Sequence, residues 1–200
     1  EVTVIDEYSG GSSTSQVHAV TEIFSGQAAR VRHMAIQRLD RGARLHLAQR
    51  ARADRDGRIL SVIASLGGGI AKADLGTVLD GTGAEVELLG FLFGELRQHF
   101  DHHTVHHHRA GKTRSNLDFK VVLKDRSMSA YTGLIRIERE APGSEAYQEN
   151  RNLLLTDGTK AESIPELEIL TDEVLCTHGA TIGSLDPEQL FYFMSRGIQR

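Results

Sequence analysis

Short stretches in which apolar and polar residues alternate follow one another along most of this 200-residue chain, with hardly a helical stretch among them. Period-two alternation marks a half-buried strand, whose successive side chains point to opposite faces. The pattern predicts strands over residues 2–8, 17–24, 29–36, 43–51, 59–64, 84–93, 117–123, 131–138 and 167–174. Glycines at 57, 67, 68, 69, 76, 81 and 83 punctuate the middle of the chain and predict frequent bends.

Two all-β architectures fit this pattern. Sandwiches and barrels join antiparallel strands by hairpins, whereas a β-helix stacks similar coils. The phrases Ala-Arg-Val-Arg-His-Met-Ala (29–35) and Ala-Arg-Leu-His-Leu-Ala (43–48) share a form in which small and branched residues line successive coils, which favours stacking. At ~20 residues per coil the length would give about eight or nine coils. The absence of tryptophan and the 6% aromatic content suit a narrow interior filled by Val, Ile, Leu and Ala.

The pattern changes near the end. Asp186-Pro187-Glu188-Gln189 places an N-cap acid, a proline at the first helical position and a glutamine at the third, which is a helix start. Leu190, Phe191, Phe193 and Met194 then form an apolar surface too large for a terminal tail. The expected organisation is a β core over 1–184 and, over 185–200, the start of a C-terminal helical region that is cut short.

Composition narrows the function classes. A formal charge of -4 offers no electrostatic case for nucleic acid, and no long basic run overturns it. One cysteine cannot form an internal disulfide, and no apolar run approaches the ~20 residues of a membrane helix. The N-terminus is no signal peptide, so a cytoplasmic protein is expected. Gly67-Gly68-Gly69 lacks the Lys-Ser/Thr ending of a P-loop.

Cys176 stands two residues before His178, so in an extended strand both side chains point the same way. A thiolate and an imidazole on one face make half a site for iron or zinc, short of the usual four ligands. Cys176 reads equally as a small buried hydrophobe. Histidines are densest over 98–108, where a strand would put His99, Asp101, His103 and His107 on one face and His102, His106 and His108 on the other. Either face suits a transition metal, and either suits a hydrogen-bonded ladder. Asn150 and Asn152 read as structural, since buried asparagines stacked in adjacent coils satisfy an amide ladder at a turn.

Longer phrases carry a resemblance. They are Gln98-His99-Phe100-Asp101 with His103-Thr104, Asp125-Arg126-Ser127 followed by Tyr131-Thr132-Gly133-Leu134-Ile135, and Asn150-Arg151-Asn152-Leu153-Leu154-Leu155. Pro165-Glu166-Leu167-Glu168-Ile169 and Cys176-Thr177-His178-Gly179-Ala180-Thr181-Ile182-Gly183 follow, then Glu188-Gln189-Leu190-Phe191-Tyr192 and Ser195-Arg196-Gly197-Ile198. In order and over essentially the whole chain, these phrases resemble the SufD branch of the SufB/SufD family, the scaffold proteins of SUF iron–sulfur cluster assembly.

The resemblance implies a right-handed parallel β-helix followed by a helical region that binds the ATPase SufC. It implies a non-enzymatic scaffold that pairs with SufB through the β-helix, with a nascent cluster forming transiently at that interface and no cofactor held tightly by the isolated chain. Where SufB carries an essential cysteine this chain has Asn150, and where SufB has His-Glu-Ala it has His178-Gly179-Ala180. Both departures align it with SufD. The resemblance therefore implies that His178 contributes a ligand to a site whose cysteine comes from the partner, with Cys176 its less certain neighbour. In isolation the surface meant for SufB is expected to support a homodimer. Two other readings compete: a metal-dependent β-fold enzyme using the 99–108 cluster, with His99, Asp101 and His103 as ligands, and a purely structural assembly module.

Overall fold

The computed structural model describes residues 1–199; Arg200, the last residue of the expected helical region, lies outside the described residues. Thirteen strands precede one helix. The strands are β1 (Val2–Gly10), β2 (Gln16–Ser25), β3 (Arg30–Leu39), β4 (Arg44–Ala53), β5 (Arg58–Ser65), β6 (Ile70–Leu79) and β7 (Glu85–Gly94). They continue as β8 (His99–His108), β9 (Arg114–Leu123), β10 (Met128–Ile137), β11 (Ser144–Leu154), β12 (Lys160–Ile169) and β13 (Val174–Ser184). Odd strands form one seven-stranded sheet in the order β1-β3-β5-β7-β9-β11-β13, and even strands form a six-stranded sheet in the order β12-β10-β8-β6-β4-β2. Every pairing is parallel. Such a chain is a parallel β-helix, each coil contributing one strand to each sheet, and the expected fold class is met.

The coil is longer than the sequence suggested. Arg44 pairs with Ile70, 26 residues on, and Met128 pairs with Lys160, 32 residues on. Thirteen strands at two per coil therefore make about six coils in place of the expected eight or nine. Each coil needs two strands of about ten residues and two corners, so it exceeds the ~20 residues expected from the sequence. Alternation also left out β6, β8 and β11: β8 and β11 bury three histidines and Gln148, Asn150 and Asn152, whereas β6 buries the small Ala71 and Ala73 beside Leu75 and Leu79. The segment 167–174, read as one strand, instead spans the end of β12, a corner, and the first residue of β13, because its leucines and isoleucine continue the apolar pattern across the bend.

The core lies between the sheets, where inward positions of β4 to β10 are almost all buried. Leucine, isoleucine and alanine dominate it, and Phe100, Phe119 and Tyr131 fill its widest part, the last two with ring centroids 4.9 Å apart. Buried amides and hydroxyls pair within it: Gln49 Nε2 donates to Ser61 Oγ at 3.0 Å, and Thr104 and Tyr131 share a hydroxyl bond at 3.0 Å. On the outside, Arg136 and Glu138 form an ion pair at 2.8 Å. Beyond β13, α1 (Pro187–Ser195) is capped by Asp186, whose side chain accepts from the Glu188 and Gln189 amides. No residue of α1 is buried.

Candidate functional site

β13 is the outermost strand of its sheet and pairs only with β11. The register sets Cys176 over Ala146, His178 over Gln148 and Ala180 over Asn150. Ala146, Gln148 and Asn150 are buried and inward-facing, so Cys176 and His178 share that inward face above the last complete coil. The expected common direction of the pair is met. Cys176 is half-buried and packs against the main core cluster, and burial pushes its thiol pKa up. His178 is exposed.

A row of amides supports this strand from below. Asn152 Nδ2 donates to Asn150 Oδ1 at 2.7 Å and to the Thr181 carbonyl of β13 at 3.1 Å, while Asn150 Nδ2 donates to the Phe119 carbonyl of β9 at 3.4 Å. The ladder ties the edge strand to the two coils beneath it. Asn150 is thus a hydrogen-bonded amide in the interior, as expected, but it and Asn152 are neighbours on one strand and not stacked from adjacent coils at a turn. Gln148, which the sequence reading did not single out, lies directly beneath His178, 1% exposed, with Nε2 donating to the Gly133 carbonyl at 3.2 Å. A repeat length near 30 residues, counted back from His178, is the signal that would have found it.

The histidine-rich strand has the two faces that alternation predicted. On the outside, His103 bonds Asp101 at 2.9 Å and His107 bonds Glu138 at 2.7 Å. Inside, His102 bonds Ser65 at 3.1 Å and His108 lies between Thr113 at 2.7 Å and Ser115 at 2.9 Å, whereas neither nitrogen of His106 has a partner. Burial drives the inner imidazoles toward the neutral form, with pKa values lowered to about 4 for His102, about 3 for His106 and about 4 for His108. Among the described residues no three His, Cys, Asp or Glu side chains are grouped to hold a metal ion. Asp101 and His103 come together, but His99 does not complete a metal-holding group with them. Cys176 and His178 likewise supply two ligands at most.

The family model for the SUF system FeS cluster assembly SufBD core domain matches residues 1–200. An iron–sulfur cluster assembly SufBD family protein of Mycobacterium tuberculosis is 34% identical over 206 residues, covering 98% of this chain and 51% of that protein. The iron–sulfur cluster assembly protein SufD of Escherichia coli is 31% identical, covering 68% of this chain and 32% of its own length. SufD of Bacillus subtilis is 31% identical, covering 90% and 42%. The chain spans about half the length of the first of these relatives and less of the other two. With that family model matched over the whole chain and these relatives above 30% identity, the chain belongs to the SufB/SufD core family of SUF iron–sulfur cluster assembly proteins.

Proposed function

We propose that this chain is a non-enzymatic scaffold subunit that pairs with SufB through its β-helix and contributes His178 to the site of nascent cluster assembly. The observation that carries this reading is the half-site on β13: Cys176 and His178 share the inward face of an edge strand with no third ligand grouped beside them among the described residues. An open edge offers unpaired backbone to a second chain, so missing ligands can arrive with the partner that covers it. A neutral imidazole ligates iron through one nitrogen while the other is free to hydrogen-bond. Cys176, with its thiol pushed toward the protonated form, is the secondary candidate.

Coupling to the SufC ATPase would use α1. Phe191 and Phe193 of α1 are 73% and 50% exposed, an apolar surface that suits packing against further helices. Among the described residues no helix is long and apolar enough to cross a membrane. Anaerobic reconstitution with SufB and SufC tests the proposal. His178→Ala is expected to leave the fold intact and to lower the iron and sulfide bound by the complex at least several-fold. Wild-type cluster content in that variant would remove His178 from the site.

A further inference from the structure

The triglycine segment 67–69 forms the corner between β5 and β6, and nothing in the proposed cluster site uses it. Its neighbours in the stack are the corners 40–43, 95–98 and 124–127. The Gly68 amide donates to the Leu39 carbonyl at 2.9 Å and the Gly69 amide to the Ala43 carbonyl at 2.7 Å, so the corner lies hard against the coil before it. A Cβ at Gly67 would come within 2.3 Å of the Leu39 oxygen, and one at Gly69 within 2.8 Å of the Arg41 oxygen. Side chains are excluded here by backbone contact, leaving a notch in a column of corners that elsewhere carries side chains.

The notch is rigid. Buried Gln37 and Gln98 donate their amide protons to the Gly67 and Gly68 carbonyls, and the His99 amide donates to Gly69. All three glycine carbonyls are therefore engaged by the protein. A cavity of about 500 Å³ opens beside this corner, lined by Gly69, Gln98, Arg41, Arg97, Arg126 and Asp125. Arg41 pairs with Glu95 at 2.8 Å, and one oxygen of Asp125 accepts the Leu96 amide at 2.9 Å. Arg97 and Arg126 make no ion pair among the described residues.

We propose that this notch binds a small phosphate-bearing anion, with Arg97 and Arg126 as its principal contacts and Arg41 as a third. Guanidinium groups stay charged and present planar forks that match phosphate oxygens. The side-chain-free corner leaves room for the anion, and because the Gly68 and Gly69 amides already donate to Leu39 and Ala43 its contacts come from the guanidinium groups. The site lies several strands along the stack from β13 and does not depend on the cluster-assembly reading.

The test is an amide-resolved NMR titration of the chain with inorganic phosphate and with pyrophosphate at low ionic strength, matched by sodium chloride. Saturable shifts are expected at 67–69, 96–98 and 125–127, and Arg97→Ala/Arg126→Ala is expected to weaken binding at least tenfold. Arg30→Ala/Arg58→Ala, which removes the same charge elsewhere, is expected to leave it unchanged. Unchanged shifts at distant amides report that each variant is folded. The proposal is overturned if the shifts do not saturate or fall elsewhere, if the notch variant binds like wild type, or if the distant pair weakens binding equally.

Discussion

His106 stands on the inner face of β8, fully buried, with both ring nitrogens unpartnered, and His102 and His108 flank it on the same face. Burial is the first cause of all three lowered pKa values; neighbouring histidine charge adds to it, and at His102 the Asp101 carboxylate opposes it. Their folded pKa values of about 3 to 4 lie below the ordinary value of 6.5. Their contribution to stability is therefore complete above pH 6.5 and is lost as pH falls from there toward 4 and 3. Each unit of depression corresponds to about 1.4 kcal/mol, so each histidine costs about 2 kcal/mol of stability by pH 5. A steep fall in urea midpoint between pH 7 and pH 5 is expected, and His106→Leu should make it shallower. An identical slope in that variant would exclude His106 as a source. The two faces of this strand were legible in the sequence because alternation needs only the strand period. Which face is dry was not, since histidine suits either environment and only the second sheet decides which is covered.

At the level of elements, the corners carry a regularity absent from any single motif. Ala28, Asp56, Gly83, Lys112 and Gly143 all have positive φ, between 54° and 75°, and occupy successive corners of one column. The Ala28 amide donates to the Arg55 carbonyl, Asp56 to Thr82, Gly83 to Gly111, Lys112 to Pro142, and Gly143 to Glu173, so each corner rests on the next. A left-handed conformation is unfavourable for side-chain-bearing residues and free of that cost for glycine. Lys112→Gly is expected to raise stability by about 0.5–1 kcal/mol, while Gly143→Ala should lower it by about 1 kcal/mol. Chemical denaturation of the two variants checks both signs, and stabilisation by Gly143→Ala would rule the account out. Most strands were legible, from β1 to β5, β7, β9 and β10, because hydrophobic residues occupy their inner positions. β6 and β11 were missed, and the boundary between β12 and β13 with them. The inner row of β11 holds hydrogen-bonded amides that interrupt the alternation marking a strand, whereas β6 keeps the alternation but begins it with the small, weakly hydrophobic Ala71 and Ala73.

Across the whole molecule, the two sheets end together at β12 and β13, and exposure rises there. Ile182, on the inward row of β13, is 49% exposed, and outward Leu175 is 71% exposed. An uncovered parallel edge with apolar residues is a surface for a second chain. The isolated chain is expected to self-associate through this end, and Ile182→Lys to shift it toward monomer in light scattering without loss of β structure. A wild-type chain that stays monomeric at high concentration would show that the open end is not self-complementary. The sequence by itself determined the strand-rich class, the capped helix start at Asp186, the shared direction of Cys176 and His178, and a family resemblance spread along the chain. These depend on local periodicity and on residue identity, both written in the order of residues. Only the tertiary structure decided the coil length, the dry face of β8, the amide ladder under β13 and the convergence of Arg41, Arg97 and Arg126 on the triglycine corner. Each of these brings together residues about one coil or more apart, and the length of a coil is set by how its corners and inner side chains pack against the coils beside it.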